Sequence, residues 1–111
     1  MSTIIGLTER VVLHGKKGSK AVIARIDTGA TKSSIDAKLA LELEVGPQRR
    51  MALVKQAGGV LLRPVVKELI EIAGRKLRVE FTIADRSHMK YKVLVGQNIL
   101  KRGFLIDASK P

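Results

Sequence analysis

The sequence predicts an all-β fold with one or two short helices. The stretch KLRVEFTI alternates apolar and polar residues over eight positions, which is the period of a half-buried strand. Other short apolar runs are separated by loops that contain glycine. No Pro-rich or Ser-rich linker and no repeat divides the 111 residues, so we expect residues 1–111 to form a single domain.

The strands are expected to pair as hairpins. ERVVLH and KAVIARI flank the glycine-containing loop GKKGS, and ALVKQAGGV carries Gly58 and Gly59, which can take the positive φ of a hairpin tip. LIEI and KLRVEFTI form a third hairpin that turns near Gly74. YKVLVG and FLID supply two further short strands.

Two segments have helical features. In SSIDAKLALELEVGP, Asp36 is a candidate N-cap before good helix formers, and Gly46-Pro47 is the expected stop. GQNILKRG reads as a single turn of helix between glycines.

Composition narrows the function classes. Lys and Arg number 21 against 10 Asp and Glu, a net charge of +11 that favours an anionic partner. Nucleic acid is disfavoured as that partner because aromatic residues, at 3%, are too few for a base-stacking platform. The absence of cysteine excludes disulfides and thiol catalysis. No apolar run approaches the roughly 18 residues of a membrane span, and no secretory signal is visible, so we expect a cytoplasmic protein.

Local motifs give no metal or cofactor site. The two histidines, His14 and His88, are far apart and read as surface residues, and the pattern H-E-x-x-H is absent. The sequence also lacks the G-x-S-x-G elbow and the glycine-rich loops that bind nucleotide phosphates. We therefore predict no metal and no cofactor.

The acid Asp27 ends the apolar run Ala21–Ile26 and opens the sequence D-T-G-A. Taken alone, an Asp-Thr-Gly sequence after a strand is also a common turn, with the acid bonding the backbone two residues on. Far downstream, VLVGQNIL consists of an apolar strand, Gly96 and a helical turn.

With these two stretches in this order, the chain resembles the retropepsin-like aspartic peptidases. AVIARIDTGA resembles their active-site strand, VKQAGGVLLRPVV their flap, and GFLID their C-terminal interface strand. The blocks DRSHMKY and RPVV are most similar to the cellular branch labelled ATP-dependent zinc protease. The resemblance implies a closed β-barrel lobe that pairs as a two-fold homodimer.

The resemblance also implies roles for individual residues. The catalytic residue would be Asp27, one from each protomer, and the active-site loop would comprise Thr28, Gly29 and Ala30. A mobile flap would carry Gly58 and Gly59. The strand and helix that close the site would contribute Gly96 and Asn98.

The implied activity is hydrolysis of peptide bonds by water that the two carboxylates activate. Lys55, Arg63, Arg86 and Lys90 are expected near the cleft, which suggests acidic, glutamate-rich peptides as substrates, although simple exposure to solvent would explain the same residues. The alternative is a non-catalytic dimeric peptide-binding module of the same fold.

One pair of positions departs from the retroviral pattern. Where many retroviral relatives carry an Asp–Arg ion pair beneath the site, this chain has Thr31 and Gln97. Both side chains are neutral, so we expect a neutral hydrogen bond in place of the ion pair.

Overall fold

A computed structural model describes residues 2–111 of the chain. Strands and two short helices follow one another with brief connections. The elements are β1 (Thr3–Ile5), β2 (Thr8–Gly15), β3 (Gly18–Ile26), β4 (Ser33–Asp36), α1 (Ala37–Leu43), β5 (Gln48–Gln56), β6 (Gly59–Ile72), β7 (Arg75–Ala84), β8 (Val93–Val95), α2 (Gln97–Leu100) and β9 (Phe104–Ile106).

Six of these strands close into a barrel. Their order is β2-β3-β8-β4-β7-β6, and β6 returns to β2 through the antiparallel pairs Val11–Ile72 and Leu13–Ile70. Closure removes the free sheet edges that would otherwise invite pairing with other chains. The predicted all-β fold with a closed barrel and two short helices is therefore confirmed.

The barrel encloses an apolar core. Leu77, Val79 and Phe81, the inward residues of the alternating strand β7, are buried as its period predicted. Thr82 lies on the other face of β7 and is buried as well. Its hydroxyl donates to the carbonyl of Ser33 at 3.3 Å, which satisfies the polar group inside the protein.

The strand β6 is 14 residues long because it serves two structures. Its second half belongs to the barrel, while its first half pairs with β5 in a hairpin that extends outside it. Gly59 takes φ +127° at the tip of this hairpin, as predicted for a tight turn. We call residues 48–66 the flap hairpin.

One expectation about local structure needs correction. The helix α1 starts at the predicted cap, where the Asp36 carboxylate accepts from Lys38 N at 3.2 Å, but it ends at Leu43 instead of Gly46-Pro47. Glu44 takes the left-handed conformation with φ 49° and stops the helix two residues early. The apolar run before Asp27 is half buried, since Ala24 and Ile26 face the core while Ile23 is exposed.

A small parallel pair, β1 with β9, lies outside the barrel sheet. Thr3 pairs with Phe104 and Ile5 with Ile106. Ile4 and Leu105 point away from the core and are 58% and 57% exposed. Two large apolar side chains are thus presented to solvent on one short sheet.

Candidate active site

Asp27 and Gly96 lie side by side because they follow two neighbouring parallel strands. β3 pairs with β8, with Ile26 opposite Val95, so both strands end at the same edge. The Asp27 amide continues this ladder by donating to the Val95 carbonyl at 2.9 Å. The barrel itself therefore fixes the backbone of the predicted catalytic residue.

The predicted loop Asp27–Ala30 is a tight turn. Ala30 N donates to the Asp27 carbonyl at 3.3 Å, and Gly29 N donates to Asp27 Oδ1 at 2.9 Å. Within residues 2–111 no other group donates to this carboxylate, which is only partly buried. One carboxylate oxygen is therefore left for a partner from outside the chain.

Gly96 permits a close crossing of two chain segments. A Cβ on Gly96 would lie 2.8 Å from the Ala30 carbonyl oxygen and closer still to the carbonyl of Lys32. No side chain fits there, because real Cβ contacts of this length essentially do not occur. The glycine that the sequence placed in the site is thus needed to bring the loop and α2 together.

A buried hydrogen-bond chain supports this crossing. Ser33 Oγ accepts from Gly96 N at 2.9 Å and donates to Asn98 Oδ1 at 2.7 Å. Asn98 Nδ2 in turn donates to the Glu80 carbonyl at 2.9 Å. Asn98 therefore supports the site through Ser33, which connects it to Gly96. The sequence analysis did not identify Ser33.

Gln97 binds the loop directly. Its backbone N donates to the Ala30 carbonyl at 2.8 Å, and its side-chain Nε2 donates to the Thr28 carbonyl at 2.7 Å. Among residues 2–111 the side chain of Thr31 has no hydrogen bond with Gln97. The expected hydrogen bond between Thr31 and Gln97 is therefore wrong, and the side chain of Gln97 instead bonds the main chain of the D-T-G loop.

A groove of about 660 Å³ opens next to the loop. Its wall includes Gly29 and Ala30, the flap-hairpin residues Leu53 and Val54, and Met89 beyond β7. Asp27 itself lies beside this volume rather than in its lining, and the flap tip Gly58–Gly59 lies away from it.

The groove carries more positive than negative charge. Lys32, Lys55, Arg63 and Arg86 line it, against the single acid Asp85. Three of these cations were expected near the cleft. Lys90 was also expected but is not part of the wall; it lies with its Nζ 5.5 Å from the ring centroid of Tyr91.

Arg86 differs from the other cations because it is 8% exposed and held by the surrounding chain. Its backbone N donates to Asp36 Oδ1 at 2.8 Å, and its Nε donates to the Tyr91 carbonyl at 2.9 Å. Burial lowers the pKa of the Arg86 guanidinium, while the negative charges of Asp36 and Asp27 oppose that shift. An Arg side chain nevertheless stays protonated at neutral pH.

The histidines take no part in this site. His14 pairs with Glu71, with 2.6 Å between Nε2 and Oε2, and both side chains are partly buried. In the part of the chain that the structure describes, no three His, Cys, Asp or Glu side chains are grouped to hold a metal ion. Across the same residues, no helix is both long and apolar enough to cross a membrane.

Residues 13–102 match the family described as "gag-polyprotein putative aspartyl protease". The chain belongs to this aspartyl protease family. The match runs from β2 to the end of α2 and so includes the D-T-G loop and the strand that closes it. The family is retropepsin-like, as the sequence predicted, whereas the narrower zinc-protease branch remains a prediction.

Solved structures share the fold of this aspartyl protease family member. EIAV protease, complexed with the inhibitor HBY-793, superposes with a TM-score of 0.68 at 20% identity, covering 85% of this chain and 84% of that one. A Legionella pneumophila protein of unknown function gives a TM-score of 0.70 at 18% identity over 98% and 95%. At sequence identities this low, the similarity shows a shared fold and nothing about function.

Two curated relatives are named as ligases and not as proteases. Each is called "Probable alpha-L-glutamate ligase", one from Shewanella halifaxensis (strain HAW-EB4) and one from Shewanella pealeana (strain ATCC 700345 / ANG-SQ1), and each is 26% identical over 84% of this chain. The chain spans only 26% of the length of these relatives. The aspartyl protease-like segment is thus similar to a minor part of much longer proteins.

Proposed function

We propose that this protein is a homodimeric aspartic peptidase that hydrolyses peptide bonds in acidic peptides. The observation that carries the proposal is the D-T-G loop. It fixes Asp27 at the end of a barrel strand and leaves one carboxylate oxygen free of donors from residues 2–111, next to an open groove. Membership of the aspartyl protease family supports the same chemistry.

A second copy of the chain would complete the site. Aspartic peptidases use two carboxylates about 3 Å apart that share one proton. This chain has one D-T-G sequence, so the second carboxylate would be Asp27 of another copy. The exposed apolar residues of the β1–β9 pair, Ile4 and Leu105, offer a surface that such an association would bury.

The proposed reaction needs one ionised and one protonated carboxylate. The ionised Asp27 takes a proton from a water, whose oxygen then attacks the carbonyl carbon of the peptide. The protonated Asp27 donates its proton to the carbonyl oxygen, which gives a tetrahedral diol. When the C–N bond breaks, the departing nitrogen takes a proton from the first carboxyl group, and one hydroxyl of the diol returns its proton to the second carboxylate. The starting pair of one ionised and one protonated carboxyl group is thereby restored. The peptide is thus divided into an acid and an amine with the consumption of one water.

The groove provides a place for the peptide on either side of the scissile bond. The exposed apolar side chains Leu53 and Leu62 of the flap hairpin could close over a bound substrate, in line with the role expected of a lid. The excess of positive charge in the wall favours acidic side chains. The glutamate-ligase names of the two curated relatives are consistent with a glutamate-containing substrate.

Peptide hydrolysis by the wild type and by Asp27→Asn tests the proposal. We expect the amide variant to lose activity by several orders of magnitude, since it cannot act as base or acid. Glu42→Gln removes the same charge from an exposed site on α1 and should behave as the wild type. Equal turnover by Asp27→Asn, with the purified protein free of contaminating protease, would overturn the catalytic assignment. Peptide binding without any turnover by the wild type would favour the non-catalytic binding module.

A further inference from the structure

The block D-R-S-H-M-K-Y, residues 85–91, forms a compact loop whose purpose the proposed reaction does not explain. Lys92 Nζ donates to three carbonyl oxygens of this loop, those of Arg86, Ser87 and Met89, at 2.8–3.1 Å. Asp85 Oδ1 accepts from both the amide and the hydroxyl of Ser87, which lowers the pKa of Asp85. These contacts give the loop a defined shape and fix the position of Arg86 within it.

Arg86 is buried without a counter-ion. Among residues 2–111 no carboxylate oxygen lies within 4.0 Å of its guanidinium. The neighbouring Asp36 is already engaged, because its Oδ1 accepts from Arg86 N and its Oδ2 from Lys38 N. Burying a cation without an ion-pair partner is costly, and groups perturbed by burial beside a cleft cluster at functional sites.

Arg86 lines the groove and has side-chain donors without a partner among residues 2–111. A guanidinium has five N–H groups, of which the Nε group donates to the Tyr91 carbonyl. The two Nη atoms have no hydrogen-bond partner among residues 2–111. Every fully buried side-chain nitrogen in this part of the chain does have a partner, so the two Nη atoms must be accessible. Arg86 lines the groove, and the groove is therefore where these donors are available.

We propose that Arg86 forms a carboxylate-binding subsite in the groove that receives an acidic side chain of the bound peptide. The planar fork of Arg matches a carboxylate with two parallel hydrogen bonds, which a single ammonium group cannot do. The exposed Lys55 and the half-buried Arg63 attract the same peptide from a distance, while Arg86 fixes one side chain in place. This subsite rests on the proposed function, since it selects the peptide that the Asp27 pair would cut.

The test compares two peptides that differ only by Glu or Gln at each acidic position. Their cleavage is measured with the wild type, Arg86→Gln and Arg86→Lys, and with Lys55→Gln as an exposed groove control. We expect the wild type to prefer the Glu peptide and Arg86→Gln to lose about 10- to 100-fold in kcat/KM for it, mainly through KM. Cleavage of the Gln peptide should change little, because only the carboxylate uses the subsite. Arg86→Lys should recover part of the preference.

Cleavage at high salt distinguishes the contribution of the buried cation from that of the exposed cations. At 0.5 M NaCl exposed charges are largely screened, so the effect of Lys55→Gln should vanish while that of Arg86→Gln persists. An equal loss for both peptides in a folded Arg86→Gln protein would mean a structural role and would overturn the subsite. A Glu preference that survives in both Arg86 variants would overturn it as well.

Binding keeps this inference separate from the peptidase proposal. Fluorescence anisotropy of labelled Glu and Gln peptides with Asp27→Asn, alone and combined with Arg86→Gln, needs no turnover. Loss of Glu-peptide affinity in the double variant would support the subsite even if the wild type cut neither peptide. Cleavage without any preference for Glu would remove the subsite and leave the peptidase proposal standing.

Discussion

Gln97 ties the start of α2 to the D-T-G loop, with its Nε2 2.7 Å from the Thr28 carbonyl oxygen. The bond joins a side chain to the main chain, so it holds the loop whatever side chain Thr28 carries. It also avoids placing a charge beneath a site that is proposed to hold two carboxylates. In this chain the neutral side chain of Gln97 therefore holds the loop by a hydrogen bond, at a position where many retroviral relatives have an ion pair.

Replacing Gln97 with Leu should slow catalysis more than it reduces stability. The loop would lose its side-chain tether, and a small displacement of reacting groups lowers kcat by about 10- to 100-fold. The free energy of unfolding should fall by only about 1 kcal/mol for one hydrogen bond. Steady-state kinetics together with urea unfolding measure both effects. Gln48→Leu, at an exposed position on β5, is the control, and an unchanged kcat in Gln97→Leu would contradict the tethering role.

Gly96→Ala should prevent stable folding. The added Cβ would meet the Ala30 and Lys32 carbonyls, both of them backbone atoms that cannot move aside alone. We expect a loss of at least about 3 kcal/mol in the free energy of unfolding. Gly58→Ala is the matched control, since no atom lies within 4 Å of its added Cβ. Thermal unfolding of the two variants checks the contrast, and a fully stable Gly96→Ala protein would show that the crossing is less tight than described.

Ser33→Ala should destabilise the protein by about 1–3 kcal/mol, because it leaves the buried Gly96 amide and the Asn98 carbonyl without their partner. Ser19→Ala, at an exposed position on β3, should have little effect. Chemical denaturation gives both values. Equal stabilities for the two variants would mean that the buried chain of hydrogen bonds contributes nothing.

Charge on the β1–β9 pair should abolish association. Leu105→Lys places an ammonium group where the proposed homodimer would bury an apolar side chain, so we expect a monomer with greatly reduced peptidase activity. Leu41→Lys changes an even more exposed leucine, 76% accessible on α1, and should leave association unchanged. Sedimentation velocity distinguishes the two results. A Leu105→Lys protein that stays dimeric would place the interface elsewhere.

The ion pair between Arg50 and Glu80 joins the flap hairpin to β7 at 2.8 Å and makes stability depend on pH. The hydrogen bond from Arg50 lowers the pKa of Glu80 in the folded state. Its contribution is therefore present above the unfolded value of about 4.3 and is lost as the pH falls through the lower folded value. The effect is small, since both side chains are more than a third exposed.

Thermal unfolding of the wild type and Glu80→Gln at pH 7 and pH 2.5 measures this dependence. We expect the wild type to be slightly more stable at pH 7 and the two proteins to converge at pH 2.5. Arg50→Gln breaks the same pair and should show the same convergence. A difference that stays constant over the range would indicate that the ion pair is not its source.

The sequence predicted those features that depend on local pattern or on family resemblance. Alternation located β7, and Gly59 marked the hairpin tip. The early end of α1 was missed because Glu44, not a glycine, takes the left-handed conformation. Ser33 was missed because its partners lie more than 60 residues away and no local pattern marks such a contact. The burial of Arg86 was equally invisible, since the segment around it reads as a polar loop.

The contacts that hold the D-T-G loop also determine when it can form. Asp27 bonds to Val95, and Gln97 lies 69 positions beyond Thr28. Contacts so distant along the chain close slowly, and none can exist before the later residues have been synthesised. A nascent chain that has reached only the flap hairpin therefore carries Asp27 on an unsupported segment. Whatever activity the loop confers would therefore be delayed until the residues of β8 and α2 have been synthesised.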